Sequence, residues 1–158
     1  MFREMRRKRQ KLSDESNMQI LEKMTSGVLA LHGDDDYPYA VPVSYALHNG
    51  KIYIHSAVEG HKIDAIKRSD KASFCVIEQD KIVPEKFTTY YRSVIIFGRI
   101  SIINDREKIY DILKCIAEKY SPEEKAAMPH EIEKSLNHVY IIELTPEHIT
   151  GKESIELV

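Results

Sequence analysis

In the stretch Tyr53-Ile-His-Ser-Ala-Val-Glu-Gly-His-Lys-Ile-Asp-Ala-Ile-Lys67, a strand-like alternation passes through Ser56, Ala57 and Gly60 and becomes helical at Ile63 and Ile66. Gly60-His61-Lys62 thus falls where a helix starts directly after a strand ends. Free backbone N–H groups and the positive end of the helix dipole converge at such a place. With the Lys62 ammonium and a protonated His61, these groups make an anion pocket suited to a phosphate. His55 and Ser56, at the strand end, offer further donors. The same residues also fit a plain strand–turn–helix link with solvated charges, and both readings stand on this stretch alone.

Pro42 lies inside a strand-like run, Tyr39-Ala-Val-Pro-Val-Ser-Tyr-Ala-Leu47. A proline there removes a ladder donor and demands an edge or a bulge. Interrupted pairing would free backbone groups at Val41 and Val43 to meet the polar rim of a flat heterocycle; a plain edge strand is the alternative. The Asn49-Gly50 hairpin is expected to pair this run with Lys51–Ser56, drawing Val41 to Val43 towards His55 and Ser56. A third group, Thr88-Thr-Tyr-Tyr-Arg-Ser93, holds hydroxyls, aromatic rings and one guanidinium. Arg92 can fork onto a phosphate or a carbonyl edge while the tyrosines pack on a ring. It can equally be the polar edge of a sheet.

Other chemistries lack a pattern. His48, His55 and His61 do not have the i, i+4 spacing of zinc hydrolases, and His130, His138 and His148 are scattered. No Gly-x-Ser-x-Gly, P-loop or dinucleotide glycine fingerprint occurs. A net charge of −2 argues against a dedicated nucleic-acid binder. Arg3 to Lys11 is basic, but no apolar run follows to complete a signal peptide, and no apolar stretch is long enough to span a bilayer. A cytoplasmic, non-membrane protein is expected, with Cys75 and Cys115 as buried free thiols.

The elements that must position these residues read as one domain over 13–158 behind a solvated basic tail, 1–12. Ser13 or Asp14 caps a first helix, and strands follow near 28–31, 39–47 and 51–56. A helix then precedes a strand at Ala72–Glu78, a polar connection from Asp80 to Thr89, and a long strand Tyr90–Ile103 bent at Gly98. An amphipathic helix from a cap at 104–107 to Tyr120, a second helix start at Ser121-Pro122, a further helix to Leu136 and a strand His138–Thr145 complete the chain before a polar tail. About six strands, mostly hairpin-linked, predict a mainly β fold: a small antiparallel barrel with peripheral helices.

Five fragments make the chain resemble a known family. They are Gly27-Val-Leu-Ala-Leu31; Tyr37-Pro-Tyr-Ala-Val-Pro-Val43; Ile52-Tyr-Ile-His-Ser-Ala57 with Gly60-His-Lys62; Phe87-Thr-Thr-Tyr-Tyr-Arg-Ser-Val94 with Phe97-Gly98; and Ile149-Thr-Gly-Lys152. Their order and spacing are similar to the pyridoxamine 5′-phosphate oxidase-like flavin-binding family, in the branch of NimA-type nitroimidazole resistance proteins. The resemblance implies a six-stranded split β-barrel working as a homodimer, with a flavin at the subunit interface. By carry-over, Gly60, His61 and Lys62 hold the phosphate of FMN, with FAD the other candidate. His55, Ser56 and Ala57 lie near the cofactor, and Val41, Pro42 and Val43 line its ring. Tyr91, Arg92 and Ser93 contribute to the site, with a crossing from the second subunit left open.

Two departures narrow the expected activity. The strand 39–47 has no Arg or Lys where the oxidases proper carry a basic element, and the chain has no Trp for their substrate motif. The expectation is an FMN-dependent reductase of small planar acceptors, nitroaromatic compounds among them, with His55 as a proton donor. The alternative is a non-catalytic flavin- or haem-binding protein on the same barrel.

Overall fold

The computed structural model describes residues 1–158. Helix α1 (Asp14–Lys23) starts where the Ser13 hydroxyl accepts the Ser16 amide at 3.1 Å, which satisfies one of the donors that a helix start leaves open. Seven strands follow rather than six: β1 (Ser26–His32), β2 (Pro38–Ser44), β3 (Ala46–His48), β4 (Lys51–Ala57), β5 (Lys71–Val83), β6 (Thr88–Ile103) and β7 (Val139–Glu153). They form one antiparallel sheet in the order β2-β1-β5-β6-β7-β4-β3.

The extra strand comes from Tyr45. Residues 39–47 read as one alternating strand, but the chain divides there, and β2 and β3 lie at opposite edges of the sheet. Ser44 and Ala46 can be separated by no more than about 7 Å, so the two edges must approach each other. The sheet therefore curls into a half-barrel with a seam at Tyr45. The seam is held from both sides. The buried Tyr45 hydroxyl donates to the Leu21 carbonyl at 2.7 Å, and its ring meets Phe74 edge-on at 5.1 Å. From helix α3 (Arg106–Tyr120), the Tyr120 hydroxyl accepts the Tyr45 N–H at 2.9 Å and also contacts the carbonyl oxygens of Tyr45 and Thr25.

The same division corrects the expected pairing of Val41–Val43 with Lys51–Ser56. Only β3 pairs with β4, through Ala46↔Tyr53 to His48↔Lys51. β2 pairs instead with β1, in unbroken register from Ser26↔Ser44 to His32↔Pro38. Pro42, opposite Val28, does not interrupt that ladder. An edge strand tolerates a proline whose nitrogen faces the open side, so it is the open edge, not a break, that leaves β2 backbone groups unpaired.

Two apolar cores result. The barrel interior is filled by residues such as Leu29, Ile52, Ile54, Phe74, Ile96 and Leu144, and is closed by α1 and by Ile63 and Ile66 of helix α2 (His61–Arg68). Outside it, α3 and helix α4 (Met128–Ser135) pack on Ala46, Tyr53 and Ile141. One charged cluster pins α3 to the sheet. The buried Glu143 carboxylate accepts from Lys51 at 3.0 Å, from Lys108 at 2.7 Å and from Tyr53 at 2.7 Å. Burial pushes its pKa up, but the bonds from Lys108, Tyr53 and Lys51 outweigh that and hold it at about 2.

Five further expectations change. The polar connection 80–89 is an extension of β5 and β6, turned by Pro84–Lys86 and by Phe87 at φ +50°. Residues 121–127 are turns, not a helix. The polar tail after Thr145 continues β7 to Glu153, paired with β6. Cys75 and Cys115 are free but only half-buried, Cys75 because it alternates outward between Phe74 and Val76. The first residues are not loose either. Gln10 and Leu12 are buried, and the Leu12 N–H donates to the Gly151 carbonyl at 3.0 Å. Gly98 marks the bend in β6, where the register to β7 shifts.

Candidate functional site

The start of α2 is the best-defined candidate. Gly60 precedes it at φ +121°, a region that favours glycine, and open space surrounds the position a Cβ would take. No side chain caps the first turn, so its N–H groups face outward as donors. Lys62 is half-buried there, and burial alone moves its pKa down, with no carboxylate acting on it. Other partly buried lysines have partners: Lys51 and Lys108 share Glu143, and Lys119 donates to the Met24 carbonyl. A desolvated cation without a partner, beside open helix-start amides, fits an anion.

The turn before β2 fixes this helix start. The His61 ring stacks on Tyr39 with centroids 4.0 Å apart and a 22° tilt. Asp34 lies 3.7 Å from His61 Nε2 and pairs with Arg68 at 2.7 Å. Along β2, Tyr39, Val41 and Val43 alternate onto the inward face while Pro42 points outward. The structure thus joins the inward face of β2 to Gly60, His61 and Lys62 through the Tyr39–His61 stack. Ser56, buried at the end of β4, and the exposed Ala57 lead into this turn.

Two groups of expected site residues lie elsewhere. His55 alternates away from Ser56 and lines a cavity of about 350 Å³ with Ser44, Leu113, Tyr120 and Ile132, under α3 and α4. Strand geometry therefore separates it from the helix start. Tyr91, Arg92 and Ser93 sit on β6, three places from β2 in the sheet order, or roughly 14 Å by strand spacing. Arg92 is already committed, to Glu153 at 2.9 Å and Glu78 at 3.2 Å. Lys152 Nζ stands 5.4 Å over the Tyr91 ring. Strands β1 and β5 thus lie between these three residues and β2.

Tyr39 and Asp34 are the residues the sequence reasoning missed. Tyr39 shares the period-two face of Val41 and Val43, so alternation alone could have found it. Asp34, in a charged turn, gave no local signal. No three His, Cys, Asp or Glu side chains converge as a metal would need, and no helix is long and apolar enough to cross a membrane.

Comparison with known proteins supplies a context for this geometry. Residues 13–153 match the family model described as pyridoxamine 5′-phosphate oxidase. No curated protein sequence matches the chain. Among solved structures, a proposed 5-nitroimidazole antibiotic resistance protein from Bacteroides thetaiotaomicron is 20% identical with a TM-score of 0.76, covering 90% of this chain and 86% of that one. A flavocytochrome from Azotobacter vinelandii is 18% identical with a TM-score of 0.79, over 96% of this chain and 72% of that one. A FAD and heme binding protein from Mycobacterium smegmatis is 21% identical with a TM-score of 0.76, over 90% and 72%. At these identities the likeness is one of fold.

Proposed function

The chain belongs to the pyridoxamine 5′-phosphate oxidase family, and from that premise we propose that it is a flavin-binding oxidoreductase, using FMN to reduce small planar acceptors such as nitroaromatic compounds. The observation that carries this reading is Lys62: half-buried, without a counter-charge, and beside the uncapped start of α2. Lys62 and the amides after Gly60 would hold the cofactor phosphate, with His61 kept in place by Tyr39 and Asp34. The open edge of β2 at Val41–Val43, with Ser56 and Ala57, would lie along the flavin ring. When bound, the flavin supplies the redox chemistry, taking two electrons from a reduced donor and passing them to the acceptor. The protein's part is to orient it and to exclude water on the barrel side. Pyridoxamine phosphate oxidation is not proposed, since the chain has no Trp and β2 has no Arg or Lys.

The site is completed by a second copy of the chain in this reading. The outward sheet face exposes Val28, Ile77, Ile95 and Phe97, and the β5–β6 hairpin projects Ile82 and Phe87, which are 72% and 97% exposed. Such apolar surface is unusual on a monomer. A partner seated there would bring its own Tyr91–Ser93 strand near the first chain's flavin. His55, facing the α3–α4 cavity, is given no role in acceptor reduction.

Titration with FMN, followed by quenching of flavin fluorescence, tests the reading. Lys62→Ala removes a charge-assisted bond of about 1.5–3 kcal/mol, which corresponds to a Kd about 10–100 times weaker. Lys62→Arg should recover part of it. Equal affinity for wild type and Lys62→Ala would place the phosphate elsewhere. A second reading, non-catalytic binding of flavin or haem, is favoured by the flavocytochrome and the FAD and heme binding protein of the same fold. A Soret band on reconstitution, with no acceptor reduction by the flavin-loaded protein, would select it.

A further inference from the structure

The first eleven residues carry six cations, Arg3, Arg6, Arg7, Lys8, Arg9 and Lys11, against one carboxylate, Glu4. A run of this kind would spread into solvent if nothing held it. Here it is held. Lys8–Gln10 form a 3-10 turn, Gln10 is 3% exposed, Leu12 is 7% exposed, and Lys11 bridges to Lys152 of β7. The arm is thereby folded around a concavity of about 520 Å³ lined by Arg6, Arg7, Lys8, Arg9, Gln10 and Ile155. Lys8 pairs with Glu4 at 3.0 Å and Arg7 touches the Gln10 side-chain oxygen at 3.5 Å, while Arg6 and Arg9 have no carboxylate partner. Like charges brought around one hollow repel each other, and an anion seated among them reverses the sign of that interaction.

We propose that this arm is a binding site for the diphosphate of a nucleotide, separate from the start of α2. The guanidinium groups of Arg6, Arg7 and Arg9 supply planar donor forks matched to phosphate oxygens. Ile155, 47% exposed, is the apolar wall and packs against sugar or base. The cavity has the size of a small-molecule site. A compact ligand fits better than a polymer, because the cations are confined to one arm of a chain whose net charge is −2. Two sources share this chemistry: the diphosphate of FAD, and that of a soluble nicotinamide dinucleotide donor.

Calorimetric titration of the full chain with inorganic pyrophosphate and with ADP tests the site directly and needs no flavin. Both should bind wild type, and the triple variant Arg6→Ser/Arg7→Ser/Arg9→Ser should bind each about tenfold or more weakly. All three side chains are exposed, so its melting temperature should be unchanged. Lys62→Ala should bind both as wild type does, which keeps this result independent of the flavin-phosphate reading. FAD binding more tightly than FMN, with the difference lost in the triple variant, assigns the diphosphate to the flavin. Equal flavin affinities, with dinucleotide binding lost in the triple variant, assign it to the donor. The proposal is overturned if neither pyrophosphate nor ADP binds, if the triple variant binds them like wild type, or if only an oligonucleotide or anionic lipid vesicles are retained.

Discussion

Glu143→Gln isolates the cluster that pins α3 to the sheet. Gln keeps the shape and most hydrogen-bonding capacity but removes the charge facing Lys51, Lys108 and the Tyr53 hydroxyl. The carboxylate's pKa is held at about 2 against an ordinary 4.5, a gap worth about 3 kcal/mol of stability. The Lys51 and Lys108 side chains are 35% and 42% exposed, so water screens part of this, leaving about 2 kcal/mol. For a chain of this size that lowers Tm by about 4–8 °C at pH 7. The folded pKa is the depressed one, so the stabilisation is fully present above 4.5 and is lost as pH falls towards 2. Urea unfolding of wild type and variant at pH 7, 5 and 3 reads both parts. The difference should be largest at pH 7 and shrink by more than half at pH 3. A difference that stays constant with pH, or one below about 0.5 kcal/mol at pH 7, would refute the electrostatic account and leave α3 held by its apolar face alone.

Tyr120→Phe should cost about 2 kcal/mol in urea unfolding, because it strips the seam of a hydroxyl that accepts the Tyr45 N–H and lies on two carbonyls. Gly98→Ala should cost about 1–3 kcal/mol by thermal melting, since a Cβ there would clash with the Thr145 carbonyl oxygen and β6 and β7 would have to part. Arg92→Ala leaves Glu78 and Glu153 facing each other without their shared cation. That variant should melt below wild type, and Arg92→Lys, which keeps a cation between them, should recover part of the loss; a variant that melts like wild type would contradict the pairing.

What the sequence disclosed and what it hid divide along the range of the interactions involved. The Ser13 cap, the hairpin at Asn49-Gly50 with φ of +48° and +73°, and the glycine before α2 are decided within a few residues. They were legible for that reason. The division at Tyr45 was not, because its cause is the meeting of two sheet edges, which alternation along 39–47 does not record. The extension of β5 is largely exposed and those of β6 and β7 are half-buried on both faces for much of their length, so they lack the period-two burial that marks a strand. Within the candidate site, Gly60, His61 and Lys62 were found by local pattern. The commitment of Arg92 was hidden, since its partners lie 14 and 61 residues away.

Tyr45 carries the chain from one rim of the sheet to the other, which makes it a clasp rather than a rung. Six strand pairs are zipped by ladders, but β2 and β3 meet at the seam through one residue's worth of covalent thread, held outside by the hydroxyl of Tyr120 and inside by the Tyr45 contacts to Leu21 and Phe74. Fraying of the last turn of α3 would therefore release the outer half of this clasp, leaving the Leu21 and Phe74 contacts and every ladder intact. Amides around Tyr45 should exchange by such local opening at a free energy well below that of global unfolding. The side of the barrel that can gape is the side where β2 presents its open edge, so entry of a flat ligand and breathing of the fold would share one path.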